Sequence, residues 1–218
     1  MGIDIVLFRA KKLKTSIVKK LEHQDIDEML ENYNFDYISE QTYAKHEQDY
    51  KELSPYLTPV LMKRTFTDRE KYMAAAGIPV GLTWYSQTSR GDYTFISYEE
   101  NGERKTVQIS HEDMHKFDYV KEEIYYIYHK EHIDVEVCYS IRDIVWNVIN
   151  KNMQALHHDD KSHTYSPHRL TPKEAMEILK GIAKEYKADE IYVSDDSVPF
   201  IMELLALEDK NVFIMGEN

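Results

Sequence analysis

Asp92-Tyr93-Thr94-Phe95-Ile96-Ser97-Tyr98-Glu99-Glu100-Asn101-Gly102-Glu103-Arg104-Lys105-Thr106-Val107-Gln108-Ile109-Ser110 carries the clearest local signal in the chain. Two segments, Asp92–Glu99 and Arg104–Ser110, flank Asn101-Gly102. Tyr93, Phe95, Val107 and Ile109 are strand formers. Asn-Gly supplies the two positive φ angles of a type I′ turn, whose twist matches that of antiparallel strands. A β-hairpin over about 92–110 follows, so the fold must contain antiparallel sheet.

Helical signals surround the hairpin. Before it, Thr67 is placed to cap a helix running through Ala76, with Glu70 in its first turn and Gly77 and Pro79 ending it. After it, Ser110 caps a segment in which Met114, Phe117, Val120, Ile124 and Ile127 recur at helical spacing. Asp134–Tyr139 reads as a short strand, and Ser140 caps a further helix over Ile141–Met153. Toward the N-terminus, Ile3–Phe8 is a compact, β-branched run expected as a central strand. The Tyr-rich stretches Asp25–Tyr33 and Glu40–Leu53 are expected as helices.

The C-terminal part has its own logic. Thr171-Pro172-Lys173-Glu174 is a complete helix start, with a cap, Pro at the first position and Glu at the third. Ala175, Ile178, Leu179, Ile182 and Tyr186 form the buried face of that helix. Ile191–Val193 reads as a strand, Phe200–Leu207 as a helix and Val212–Met215 as a strand, a βαβ-like order that implies a parallel pair. The expected fold is therefore α+β: a mixed sheet with surrounding helices, plus a small C-terminal α/β piece. The corresponding organisation is a main domain over 1–156, a His-rich loop over 157–170, and a subdomain over 171–218 packed on the main domain.

Composition narrows the function classes. The 218 residues suffice to bury about 70% of the unfolded surface without covalent staples. The one cysteine, Cys138, excludes an internal disulfide and a cysteine-based zinc site. It fits best as a half-buried strand residue. No stretch approaches the ~18 apolar residues of a membrane span. The opening apolar run precedes its basic residues, the reverse of a secretion signal. These features together read as a cytoplasmic protein. No glycine pattern matches a dinucleotide or phosphate loop, and no G-x-S-x-G elbow occurs.

The net charge of −12 is uneven. Residues 1–20 hold six bases and one acid, whereas residues 22–52 hold ten acids and two lysines. An acidic surface disfavours direct nucleic-acid binding and favours a basic protein partner. In the acidic region, carboxylates (Asp36, Glu40, Glu47) alternate with aromatics (Tyr33, Tyr37, Tyr43). Carboxylates steer association and aromatics anchor it, so these six are the candidate partner-binding residues. Such a surface can imitate a phosphate backbone and occupy a basic nucleic-acid-handling groove. The expected function is thus a non-enzymatic interaction or inhibitor protein. The basic run Arg9–Lys20 would either contact phosphate or neutralise the chain's own acids.

The alternative is a metal-dependent hydrolase. His111-Glu112-Asp113-Met114-His115 satisfies H-E-x-x-H, in which two histidines one turn apart hold zinc or another divalent metal and the glutamate activates water. Against it, the motif opens its helix rather than lying within it. Asp113 and Lys116 also bring charge where a buried site needs none. On a continuous helix, His111, His115, Glu122 and His129 share one stripe opposite the apolar one, with Glu122 ~10 Å from His115. Further candidate ligands are His157, His158, His163 and His168 in the His-rich loop. Asp195 and Asp196, after the Ile191–Val193 strand, are read as turn and cap residues.

The opening Met1-Gly2-Ile3-Asp4-Ile5-Val6-Leu7-Phe8-Arg9 resembles the start of uncharacterised small phage and bacterial proteins that open Met-Gly, a hydrophobic residue, Asp and then a strand. The resemblance covers these nine residues and implies a mobile-element setting.

Overall fold

The computed structural model describes residues 4–82, 84–133, 139–158, 162–188, 197–207 and 211–217; the side chains of 31, 139–141, 157, 158, 162, 163, 185–188 and 197 lie outside the description. In chain order the elements are β1 (Asp4–Lys11), α1 (Thr15–Leu21), α2 (Ile26–Asn32), β2 (Asp36–Ser39), α3 (Glu40–Lys45), β3 (Thr58–Thr67), α4 (Arg69–Ala75), β4 (Tyr85–Arg90), β5 (Tyr93–Glu100) and β6 (Glu103–Ser110). They continue with α5 (His111–His115), β7 (Asp118–Ile133), α6 (Tyr139–Ile149), β8 (Ala155–His158), β9 (Ser162–Tyr165), β10 (His168–Arg169), α7 (Pro172–Ala188), α8 (Ser197–Leu205) and β11 (Val212–Glu217). The class is α+β. The chain forms two compact units: Met1–Met62 with Glu123–Asn218, and Lys63–Glu122.

In the first unit, β10, β11, β1, β7 and β2 pair in that order, and β3 also pairs with β7. The pairs β1–β11, β1–β7, β10–β11 and β2–β7 are all antiparallel. β1 is internal, as its apolar run implies, and it is buried on both faces. Ile5 and Leu7 join α6, α7 and α8 in one core with Val145, Ile178 and Phe200. Phe8 and Ala10 face the other way, into a core with Tyr50, Leu53, Tyr128 and Phe213. A third cluster gathers Leu21, Ile26 and Phe35 around Tyr125 and Ile127.

Two sequence expectations are corrected in this unit. The helical spacing through Ile124 and Ile127 belongs to a strand, since α5 stops after five residues and β7 then runs for sixteen. A strand buried on both faces shows no period-2 alternation, and its apolar positions can mimic a helix. Here Tyr125 and Ile127 face one core and Tyr128 faces another, and strand pairing overrides the local pattern. In the C-terminal piece, β11 is antiparallel to both its neighbours, β1 and β10. The strand expected at Ile191–Val193 lies outside the described residues, as do Cys138, Asp195 and Asp196.

The helix expected over Glu40–Leu53 closes early at Lys45 and continues as turns; Tyr43 from α3 and Tyr50 and Leu53 from the turns reach the same core. α2 forms as expected, with the Asp25 carboxylate accepting from the N–H groups of Asp27 (3.0 Å) and Glu28 (3.3 Å). α7 buries Ala175, Ile178 and Ile182, with Leu179 packed alongside; the side chain of Tyr186 lies outside the description. Among the described residues, no helix is long and apolar enough to cross a membrane.

In the second unit, β4, β5 and β6 form an antiparallel sheet of their own. The hairpin turn is the expected one, with φ of +56° at Asn101 and +79° at Gly102. The buried face of the sheet presents Ile96, Tyr98 and Ile109 to Tyr72 and Met73 of α4. The α4 cap is Asp68 rather than Thr67, its side chain accepting from the Lys71 N–H at 3.0 Å.

Candidate functional site

The His-Glu segment forms the one-turn helix α5. Ser110 caps it, accepting from the Asp113 N–H at 3.1 Å and donating to Asp113 Oδ2 at 2.6 Å. His111 Nε2 lies 3.1 Å from Oγ1 of the buried Thr94. His115 turns to another partner, with Nδ1 at 2.8 Å from Asp118 Oδ2. Hydrogen bonds from Thr67 and His115 hold the Asp118 carboxyl below its usual range. Glu112 is exposed. The stripe drawn through Glu122 and His129 dissolves, because both residues lie on β7, where His129 Nδ1 bonds the Asn34 carbonyl.

The segment read as a His-rich loop is structured. β8 and β9 form a hairpin in which His157 stands opposite His163 and His158 opposite Ser162. Lack of apolar periodicity was a poor guide here, because a short hairpin needs only backbone pairing and a few packed residues such as Leu156. The side chains of His157, His158 and His163 lie outside the description. His168 is placed on β10, and its Nε2 lies 3.1 Å from each carboxylate oxygen of Glu174. Glu174 also accepts from Thr171 N (2.9 Å), Thr171 Oγ1 (2.7 Å) and Asn152 Nδ2 (2.8 Å). Burial pushes the Glu174 carboxyl up, but the hydrogen bonds from Thr171 and His168 outweigh it and hold the group below its ordinary value. Among the described residues, no group of three or more His, Cys, Asp or Glu side chains could hold a metal ion.

The acidic, Tyr-rich region is divided by the sheet. Tyr33 and Tyr37 pack half-buried against the cluster of Phe35, Tyr125 and Ile127. Tyr37 meets Tyr125 edge-on, with centroids 5.3 Å apart. Tyr43 packs in the separate core of Phe8 and Tyr128, stacking on Tyr126 at 4.2 Å. The tyrosines thus fasten the region to two cores, while Glu40 and Glu47 stay exposed, together with Glu22, Asp27 and Glu28.

Asp36 belongs to a polar cluster that sequence reasoning missed. Lys130, 7% exposed, donates to Asp36 Oδ2 at 3.2 Å and to Glu217 Oε1 at 3.1 Å. Its ammonium lies 5.2 Å from the centre of the Phe8 ring. The Tyr128 hydroxyl donates to the same Asp36 oxygen at 3.1 Å. Burial, reinforced by the Asp36 charge, pushes the Tyr128 and Tyr50 hydroxyls well above their ordinary range. Lys130 thus bridges two carboxylates from different strands inside the core. No sequence signal marked it, because the three residues meet only through the pairing of β7 with β1 and β2 and of β1 with β11, which the helical reading of β7 concealed.

The basic run is also resolved into parts. Arg9 pairs with Glu203, and Lys11 pairs with Glu131 at 2.7 Å. Lys12, Lys14, Lys19 and Lys20 are exposed.

No protein-family model, curated protein or solved structure matches the chain.

Proposed function

We propose that the chain is a non-enzymatic binding protein that engages a basic surface of another protein through the exposed carboxylates around α2 and α3. The observation that supports this reading is where the charge sits. The unit Lys63–Glu122 holds nine bases and ten acids, so it is nearly neutral, and the other unit holds eighteen bases and twenty-nine acids. Glu22, Glu28, Glu40 and Glu47 are exposed on segments that Tyr33, Tyr37 and Tyr43 anchor inward. Fixed carboxylates pay less ordering entropy on binding than mobile ones and steer association with a basic face. The aromatics serve as supports for the charged surface more than as its contact points. Inhibition of a nucleic-acid-handling protein, and the mobile-element setting that the Met-Gly-Ile-Asp opening implies, are finer readings of the same surface.

The test is capture of partners from lysate at graded salt, with wild type and a Glu22→Gln/Glu28→Gln/Glu40→Gln/Glu47→Gln variant. Binding that weakens steeply with salt and is lost in the variant supports the proposal. Binding that ignores both removes it.

The metal-dependent alternative retains one favourable observation, the direct opposition of His157 and His163 across β8–β9. Stoichiometric zinc or manganese in protein purified without chelator, lost on His157→Ala/His163→Ala substitution, would move the function to that hairpin.

A further inference from the structure

β6 is an edge strand, since the order of its sheet is β4-β5-β6. The His111 N–H donates to the Asp92 carbonyl at 2.9 Å, which makes 92 and 111 a hydrogen-bonded pair. Such pairs alternate along an antiparallel ladder, so Ile109, Val107, Lys105 and Glu103 also bond to β5. The two-residue turn agrees, because the residues flanking it, Glu100 and Glu103, must be a hydrogen-bonded pair. The N–H and C=O of Thr106 and Gln108 therefore point outward, away from β5. Among the described residues neither has a backbone partner on that side.

Among the described residues, no further strand pairs with β6 on this side. A cleft of about 350 Å³ meets β6 at the consecutive residues Val107, Gln108 and Ile109, and is walled by Tyr72 and Ala76 on one side and by Asp113, Lys116 and Phe117 on the other. Three successive strand residues can line one cleft only from the strand's edge, because their side chains alternate between faces. Natural edges are commonly blunted by charge. Here Glu103-Arg104-Lys105 is charged, but Thr106-Val107-Gln108-Ile109-Ser110 carries none.

We infer that β6 pairs antiparallel with β6 of a second copy of this chain, about a twofold axis at Val107, to give a continuous six-stranded sheet. That register sets Thr106 opposite Gln108 of the second copy, so the outward N–H and C=O of each are satisfied by the other. It sets Arg104 opposite Ser110, Lys105 opposite Ile109, and Glu103 opposite His111. No like charges meet, and the strand is complementary to itself, as an isologous interface requires. Centred on Thr106 instead, Thr106 would face itself, Arg104 would face Gln108 and Glu103 would face Ile109, so the Thr106–Gln108 and Glu103–His111 pairs are lost. The inference is independent of the carboxylate surface around α2 and α3.

The test is the solution mass by light scattering of wild type and two variants of the full chain. Thr106 and Gln108 are exposed, and replacing them leaves the backbone bonds of the β5–β6 ladder in place; the Ser97–Thr106 hydroxyl contact (2.8 Å) is lost equally in both Thr106→Lys variants, so the comparison between them is unaffected. Thr106→Lys/Gln108→Lys places lysines opposite lysines across the axis, whereas Thr106→Lys/Gln108→Glu places lysine opposite glutamate. The expected result is twice the chain mass for wild type, a fall to one chain mass for the first variant, and a return to twice the mass for the second. Gln108→Pro, which removes only an outward N–H, is expected to give one chain mass with an unchanged far-ultraviolet spectrum. A monomeric wild type at every concentration up to its solubility limit overturns the inference. So does a Thr106→Lys/Gln108→Lys variant that stays dimeric.

Discussion

His168 Nε2 sits equidistant from the two carboxylate oxygens of Glu174, at 3.1 Å from each, and so closes a capping box that already ties Glu174 to Thr171. One carboxylate thereby joins the start of α7, strand β10 and Asn152. A histidine that composition offered as a metal ligand instead secures a helix terminus.

Removing this carboxylate should be costly. Glu174→Ala leaves the Thr171 N–H and the Asn152 amide without their acceptor in a nearly buried site, and the expected loss is about 2 kcal/mol. Thr171→Ala, which removes only the cap hydroxyl, should cost about 1 kcal/mol. Urea unfolding of both variants checks the order. Because the folded Glu174 carboxyl is held below its ordinary value, its contribution is present at neutral pH and is lost as the pH falls through the folded value. Glu174→Gln should flatten the acid limb of the stability profile.

Lys130 is the most deeply buried cation described, and its loss deprives the Asp36 and Glu217 carboxylates of their shared ammonium. Lys130→Ala should lower stability by about 2 kcal/mol, the scale of hydrogen bonds to charged groups. Tyr128→Phe, which removes only a donor to Asp36, should cost about 1 kcal/mol. Equal losses in chemical denaturation would show that Lys130 contributes packing alone.

The tyrosines predict an alkaline signature. The Tyr50 and Tyr128 hydroxyls are pushed upward by burial and by the Asp36 charge. A group whose folded pKa is raised contributes stability that is complete below its unfolded value and is lost as pH rises toward the folded one. In a spectrophotometric titration near 295 nm, these two phenols should ionise only as the fold opens, after the exposed tyrosines. Tyr50→Phe and Tyr128→Phe should each remove one late-titrating phenol.

Gly181 of α7 lies directly against Ile144 of α6. A Cβ built there would lie 2.6 Å from Ile144 Cγ2. Helix propensity favours alanine over glycine by about 1 kcal/mol, but a branched side chain on a helix cannot move aside cheaply. Gly181→Ala should therefore destabilise by about 1–3 kcal/mol. In an Ile144→Ala background the same change should become neutral or stabilising. A stabilising effect in wild type would show that the two helices have room to separate.

Several elements were legible because their chemistry is local. Asn101-Gly102 demands positive φ at both positions, and Thr171-Pro172-Lys173-Glu174 supplies its own hydrogen bonds, so both appear where the residues place them. β1 was legible because eight residues with a β-branched, apolar core suit a strand covered on both faces. β7 was not. Its tyrosines and isoleucines fit a helical template as well as a strand, and only pairing with β1 and β2 selects between them. The candidate site shows the same division. Chain chemistry alone determined the acidic balance, the capping motifs and the hairpin, because charge, φ preference and short-range hydrogen bonds are carried by neighbouring residues. Tertiary structure alone decided that His111, His115 and His168 turn to Thr94, Asp118 and Glu174, and that Lys130 gathers Asp36 and Glu217. Lys130 lies 94 and 87 residues from its two carboxylates, and long-range strand pairing brings them together; the histidine partners lie 17, 3 and 6 residues away, and the β5–β6 register, the end of α5 and the start of α7 set which group each ring meets.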